Sequence, residues 1–203
     1  MKWATFRRSY DNLPIEKHQQ QYNQLANENA NQRRFSEHKA REFLSRVRPA
    51  RVIELGGWDG ELASIILPAS EIESWFNFEL SSIRPVCDDE RFQQIVSASW
   101  AWDDERFIGD CFVSSHCLEH LSNTQLWSVL DALDAGGFTS AFTQVPLPAV
   151  GKPDWEQWPN SGHILDMNAV EFDEAFVSRG WEAVTGERLH GDHISGWVRA
   201  SAG

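Results

Sequence analysis

Residues 51–60 read Arg51-Val-Ile-Glu-Leu-Gly-Gly-Trp-Asp-Gly60: a short apolar run, an acid, then a glycine-rich turn. Val52, Ile53 and Leu55 suit a parallel strand buried on both faces. Gly56, Gly57 and Gly60 permit positive φ and close approach of the backbone to a ligand. Beyond them, Glu61-Leu-Ala-Ser-Ile-Ile-Leu67 has helical composition and stops at Pro68. A helix starting there would turn its free N–H groups and positive dipole end toward the loop. The stretch therefore reads as strand, cradle and helix.

Working outward, Phe35, Phe43, Leu44 and Val47 fall on one helical face that ends before Pro49 and leads into the first strand. Further strands are expected at 74–80, 93–97, 111–115, 138–145, 181–189 and 193–201. Ser122-Asn-Thr-Gln125 is a capping box. It opens a helix whose stripe is Leu126, Val129, Leu130 and Leu133, closed by Gly136-Gly137. A last helix is expected over 168–179. Strands alternating with helices indicate one α/β domain with a mostly parallel, doubly wound sheet of seven strands, finished by an antiparallel C-terminal hairpin. We assign it to residues 35–203, preceded by a polar extension or lid over 1–34. Residues 146–162 read as a loop carrying Trp155 and Trp158.

Composition narrows the functional classes. A chain of 203 residues suits one well-cored domain. No run approaches the ~18 apolar residues of a membrane span, and the charged N-terminus lacks the apolar region of a secretory signal. Cys87, Cys111 and Cys117 are too few and too scattered for a metal quartet and read as reduced thiols of a cytoplasmic protein. A formal charge of −12 disfavours a nucleic-acid partner. The basic residues between Arg33 and Arg51 are interleaved with Glu37 and Glu42 and read as a solvated helix face.

The glycine loop does not fit the dinucleotide fingerprint G-x-G-x-x-G, because its first glycine position is Leu55. It fits an acid-x-Gly-x-Gly-x-Gly pattern at Glu54, Gly56 and Gly60, with Trp58 in place of the middle glycine. Glu79 lies 19 positions after Gly60 and ends an apolar strand. A carboxylate there can accept both hydroxyls of a ribose at the carboxyl edge of the sheet. Asp110 opens the fourth strand, which runs through Ser115 and His116 into Leu118-Glu-His-Leu121.

Taken in order, the loop, Glu79, Leu118-Glu-His-Leu121, Gly136-Gly137 and Phe138–Pro146 resemble the class I S-adenosylmethionine-dependent methyltransferases of the small-molecule type, over roughly residues 35–200. The resemblance implies a Rossmann-like fold and S-adenosyl-L-methionine as cofactor. It places Glu54, Gly56, Gly57, Gly60 and Glu79 around that cofactor, Ser99 and Trp100 at the adenine (with Asp103 and Asp104 as neighbours), and Ser115 at the methionine end. His116 and His163 would face the acceptor as catalytic candidates. Glu119 and His120 read as residues that fix a strand-to-helix junction, and His190 and His193 as surface residues. Cys117 and His120 have C-x-x-H spacing without a second pair, so no metal is expected. The expected activity is methyl transfer to a small molecule or an exposed sugar or lipid head group. A non-catalytic binding or scaffold protein of the same fold and an NAD-type oxidoreductase are the alternatives.

Overall fold

The computed structural model describes residues 37–80, 82–96, 99–148, 163–189 and 192–200. The extension over 1–34, Phe35, Trp155, Trp158 and His190 lie outside these residues. Among the described residues, four α-helices and seven strands follow in the order α1 (Glu37–Val47), β1 (Arg51–Leu55), α2 (Glu61–Ile66), β2 (Ser74–Glu79), β3 (Phe92–Val96), β4 (Cys111–Ser115), α3 (Asn123–Ala135), β5 (Ser140–Pro146), α4 (Ala169–Val177), β6 (Trp181–Leu189) and β7 (Asp192–Arg199). The strands form one sheet in the order β3-β2-β1-β4-β5-β7-β6. The first five are parallel, and β7 pairs antiparallel with both β5 and β6.

Side chains alternate across a strand, and this alternation builds two apolar layers. Ile53, Phe112, Ala141, Val145 and Trp197 face α3 and α4, meeting Leu126, Val129, Leu130, Phe172 and Phe176. Val52, Trp75, Val113, Phe142 and Ile194 take the other face, against Phe43 and Leu44 of α1 and Leu62 and Ile66 of α2. The central strands are consequently apolar on both sides, which explains the near-continuous run in β1. Asp110 fastens their starting ends together. Its Oδ2 accepts from the Ala50 and Arg51 amides at 2.9 and 2.8 Å, and its carbonyl accepts from Thr139 and Ser140.

Local signals act as expected at the helix ends. Ser122 and Gln125 form a reciprocal capping box on α3, and Asn168 with Glu171 forms another on α4. On α1, Phe43 and Leu44 are buried, and exposed Arg41 pairs with Glu37. Pro68 ends α2 after six residues, and a 3₁₀ turn, Leu67–Ala69, follows. One reading is corrected. His193, expected at the surface, is mostly buried, with Nε2 2.7 Å from Asp173 Oδ1 and 3.1 Å from Ser195 Oγ. Insertion of β7 beside β5, at the margin of α4, carries it under cover. No helix among the described residues is long and apolar enough to cross a membrane.

Candidate functional site

Three alternate positions of β2 hold the glycine loop. On a strand they share one face, and each contacts the turn that follows β1. Trp75 Nε1 donates to Glu54 Oε2 at 2.8 Å. Asn77 accepts from the Gly57 amide at 3.0 Å and donates to the Trp58 carbonyl at 3.0 Å. Glu79 Oε2 accepts from the Trp58 amide at 2.9 Å, and its Oε1 accepts from Leu80 N at 2.8 Å. The amides of Gly56 and Gly60 donate to the carbonyls of Phe78 and Gly57. The cradle anticipated from the sequence is thus held from inside, with the amides of residues 56, 57, 58 and 60 given to protein acceptors.

Packing beneath the loop explains the glycines. A Cβ on Gly57 would lie 2.5 Å from Glu54 Oε1, with the carboxyl carbon closer still. A Cβ on Gly56 would lie 2.5 Å from Cys117 Cβ, and φ is +72° there. Trp58 also has a left-handed backbone, with φ 56°. That conformation costs an L-residue about 1–2 kcal/mol, so the tryptophan occupies the backbone state of the glycine it replaces. Glu54 is 1 % exposed. Burial pushes its carboxyl up to about 7, against the lowering effect of the Trp75 hydrogen bond. It supports the loop from below.

Above the loop lies a cleft of about 510 Å³ counted to its open mouth, at the carboxyl ends of β1, β2 and β4. Gly56 and Glu79 form one side, and Leu55, Phe78 and Leu80 form its floor and edge. The segment Ser99–Trp102 and the turn Cys117–Leu121 contribute the rest. Trp100 and Trp102 stack at 4.9 Å with an interplanar angle of 4°. The structure therefore brings Gly56, Glu79, Ser99 and Trp100 together as cleft walls. Gly57 and Gly60 lie in the supporting loop. Asp104, a neighbour weighed for the adenine, is instead paired with Arg106 at 2.6 Å, which holds its carboxyl below the usual range.

The remaining candidates gather next to the cleft, where β4 ends and β7 begins. His116 has φ 52°, and its Nε2 lies 3.1 Å from Asp192 Oδ2. Gln144 donates to the same carboxylate oxygen at 2.6 Å, and Ser115 Oγ donates to Gln144 Oε1 at 3.4 Å. The backbone carbonyl of Glu119 accepts from the Ile164 and Leu165 amides, which lays residue 163 against the Leu118–His120 turn. His163 and His120 meet edge to face, ring centroids 5.1 Å apart. Glu119 thus fixes a junction as expected, through its carbonyl.

Its side chain does something else. The Glu119 carboxylate is buried, with Oε1 3.7 Å from His116 Nδ1 and 3.8 Å from His120 Nε2. Burial raises its pKa, opposed by His163 and His116. A donor atom from each of Glu119, His120 and His163 lies within 4.8 Å of the others. Reading the sequence for cysteine pairs missed this set, because His163 is 43 positions from His120. Asn77 and Trp75 were missed as well, although their spacings of two and four from Glu79 on an expected strand were a usable signal. Trp102, Cys117 and Leu121 reach the cleft from turns and carried no signal.

No protein-family model and no curated protein sequence matches the chain. Solved structures do match in three dimensions. The methyltransferase domain of bacterial CtHen1 superposes with a TM-score of 0.59 at 16% identity, over 80% of this chain and 96% of that one. Magnesium protoporphyrin IX methyltransferase from Synechocystis, solved with bound SAH, gives 0.62 at 10% identity, over 81% and 82%. An O-methyltransferase from neocarzinostatin biosynthesis, in complex with S-adenosylmethionine and 2-hydroxy-5-methyl naphthoic acid, gives 0.59 at 16% identity, over 81% and 53%. Seven strands in the order found here, with β7 antiparallel between β5 and β6, agree with those likenesses. The chain has the class I S-adenosylmethionine-dependent methyltransferase fold.

Proposed function

We propose that this protein is an S-adenosylmethionine-dependent methyltransferase acting on a small molecule or an exposed sugar or lipid head group. The observation that carries the reading is the cleft at the switch point of the sheet, where buried Glu79 stands beside Gly56 and faces the segment of the stacked tryptophans. In open α/β sheets that crevice is where ligands bind.

The residues present suit the cofactor. Glu79 spends one lone pair on each oxygen for Trp58 and Leu80, and a carboxylate has about four acceptor sites. Ribose hydroxyls are donors of the kind that a carboxylate in this cleft wall accepts. Phe78, Leu80, Trp102 and Leu121 offer an apolar surface to a flat base. A cationic sulfonium is matched by the carboxylates of Glu79 and Asp192 around the site. When bound, S-adenosyl-L-methionine supplies an electrophilic methyl group. The protein's share is to hold an acceptor in line with it and to keep water away. In this reading His116, held through Nε2 by Asp192, takes a proton from a hydroxyl acceptor.

Calorimetric titration with S-adenosylhomocysteine tests the reading. Saturable binding with one ligand per chain is expected, and Glu79→Ala should weaken it at least roughly tenfold, because charge-assisted hydrogen bonds contribute about 1.5–3 kcal/mol each. Absence of binding by the folded wild-type chain would overturn it. The reading favoured next is a binding module that keeps the fold, and Trp58 in a glycine conformation is what favours it. An oxidoreductase is disfavoured by Leu55 in the glycine pattern and by the antiparallel β7.

A further inference from the structure

Beside the cleft the chain gathers donors that cofactor binding does not use. Glu119 ends buried, and its Oε2 has no hydrogen-bond partner among the described residues. An ionised oxygen in that state is expensive, and buried charges are ordinarily paired or coordinate a metal. The atoms nearest to the carboxylate include the rings of two histidines, and imidazole is the commonest metal ligand. Glu119, His120 and His163 supply one donor each within 4.8 Å. Donors bound tetrahedrally to one ion at about 2.0–2.2 Å stand roughly 3.3–3.6 Å apart. Donors up to 4.8 Å apart must close by about 1–1.5 Å, which rotation of the partly exposed His120 and His163 rings can provide.

Two features of the surroundings agree with a site built for an ion. The Glu119 carbonyl anchors residues 164 and 165, so the third ligand is tied to the turn that carries the other two. His116 is oriented by Asp192 and points Nδ1 at the Glu119 carboxylate from 3.7 Å. Partners of this kind orient first ligands in metal sites. We propose that Glu119, His120 and His163 bind a divalent first-row transition ion, Zn²⁺ or a similar cation. Two imidazoles and one carboxylate select such ions over Mg²⁺ and Ca²⁺, which take oxygen ligands. Three protein ligands leave a position open, and His120 also lines the cleft. An ion there would polarise an oxygen of the acceptor, and that role rests on the methyl-transfer reading. Binding of the ion does not.

The test uses the full chain, freed of any polyhistidine tag and stripped with chelator. It is titrated with Zn²⁺ by calorimetry and with Co²⁺ by visible absorption. One ion per chain is expected, with Co²⁺ bands from nitrogen and oxygen ligands. Glu119→Gln and His163→Ala should each weaken binding by roughly 10–100-fold or more, since even outer partners of metal ligands cost that much. Two variants are used because a buried glutamine can disturb the fold by itself, and circular dichroism reports on that. S-adenosylhomocysteine affinity is measured on the same samples and should survive in both variants. Lack of saturable binding up to about 1 mM would overturn the site, as would equal affinity in both folded variants. A thiolate-to-Co²⁺ absorption band that vanishes in Cys117→Ser would overturn it too, by moving the ion to a cysteine. Failure of S-adenosylhomocysteine binding in the wild type, with metal binding intact, would sink the methyltransferase reading alone.

Discussion

Two rims close the candidate site, and they are built on opposite principles. The rim after β1, Gly56–Gly60, is backbone locked to protein. Four of its amides are given to Phe78, Asn77, Glu79 and Gly57, and a Cβ at Gly57 would strike Glu54. The rim after β4, His116–Leu121, presents side chains. It carries two histidines and a buried glutamate, of which His120 lines the cleft, and Glu119 Oε2 keeps its hydrogen-bonding capacity. The first rim sets shape, because the four amides of its backbone are already given to protein acceptors. The second holds chemistry, because an unspent buried polar atom is stable only near something that answers it. Ligand fit should accordingly respond to volume changes on the first rim and reactivity to charge changes on the second.

The largest effect is expected from Gly57→Ala. The new methyl must displace the Glu54 carboxyl or the loop, and moving the loop breaks the bonds to Asn77 and Glu79. A loss of about 3 kcal/mol or more is expected, read by urea denaturation. A variant as stable as the wild type would break the claim that packing locks this rim.

On the second rim, His116→Ala should leave S-adenosylhomocysteine affinity within a few-fold of wild type. It should lower the methylation rate of a hydroxyl acceptor by about 10²-fold. Full turnover in this variant and in His163→Ala would reduce the second rim to orientation.

Glu54→Gln returns to the first rim and separates support from contact. The folded chain holds this carboxyl at about 7, above its ordinary 4.5. As pH rises the unfolded chain therefore loses the proton first. The stabilising contribution of Glu54 is full below about 4.5, declines between there and about 7, and is constant above. The amide keeps an acceptor for Trp75 Nε1 and does not ionise. The stability of Glu54→Gln relative to wild type should rise over that window by on the order of 2 kcal/mol, read by denaturation at stepped pH. A flat difference would show that Glu54 titrates normally.

The smallest effect belongs to Trp58→Gly. Relief of a left-handed tryptophan, about 1–2 kcal/mol, is offset by the greater freedom of glycine in the unfolded chain, about 0.5–1 kcal/mol. Stability should change by less than about 1 kcal/mol, and S-adenosylhomocysteine affinity should stay equal or tighten. Loss of binding with a native circular dichroism spectrum would move the tryptophan into the site and make this rim a contact surface.

Much of this was legible before any coordinate. Apolar runs bounded by glycine and proline located all seven strands. Ser122 with Gln125 started α3 where expected, and Glu79 was placed by its distance from Gly60. These signals are local: burial on both faces, capping and backbone freedom act within a few residues. The boundaries that slipped did so for local reasons as well. The last helix ends at Val177 and not Arg179, and β5 begins at Ser140 because Thr139 and Ser140 bond to Asp110.

The sequence by itself determined the order of elements, the glycine turn and the identity of the acid that closes β2. It also specified the antiparallel ending, because two adjacent strand-like runs share a three-residue turn. Tertiary structure decided what those residues face. Only pairing of β1 with β2 shows that Trp75, Asn77 and Glu79 hold the loop from within, and only the packing of residues 163–165 on the Leu118–His120 turn brings His163 to Glu119. The physical reason is the range of the interactions. Propensity and capping are written in neighbours, whereas a buried carboxylate and the imidazoles around it meet through a sheet whose register no short segment encodes.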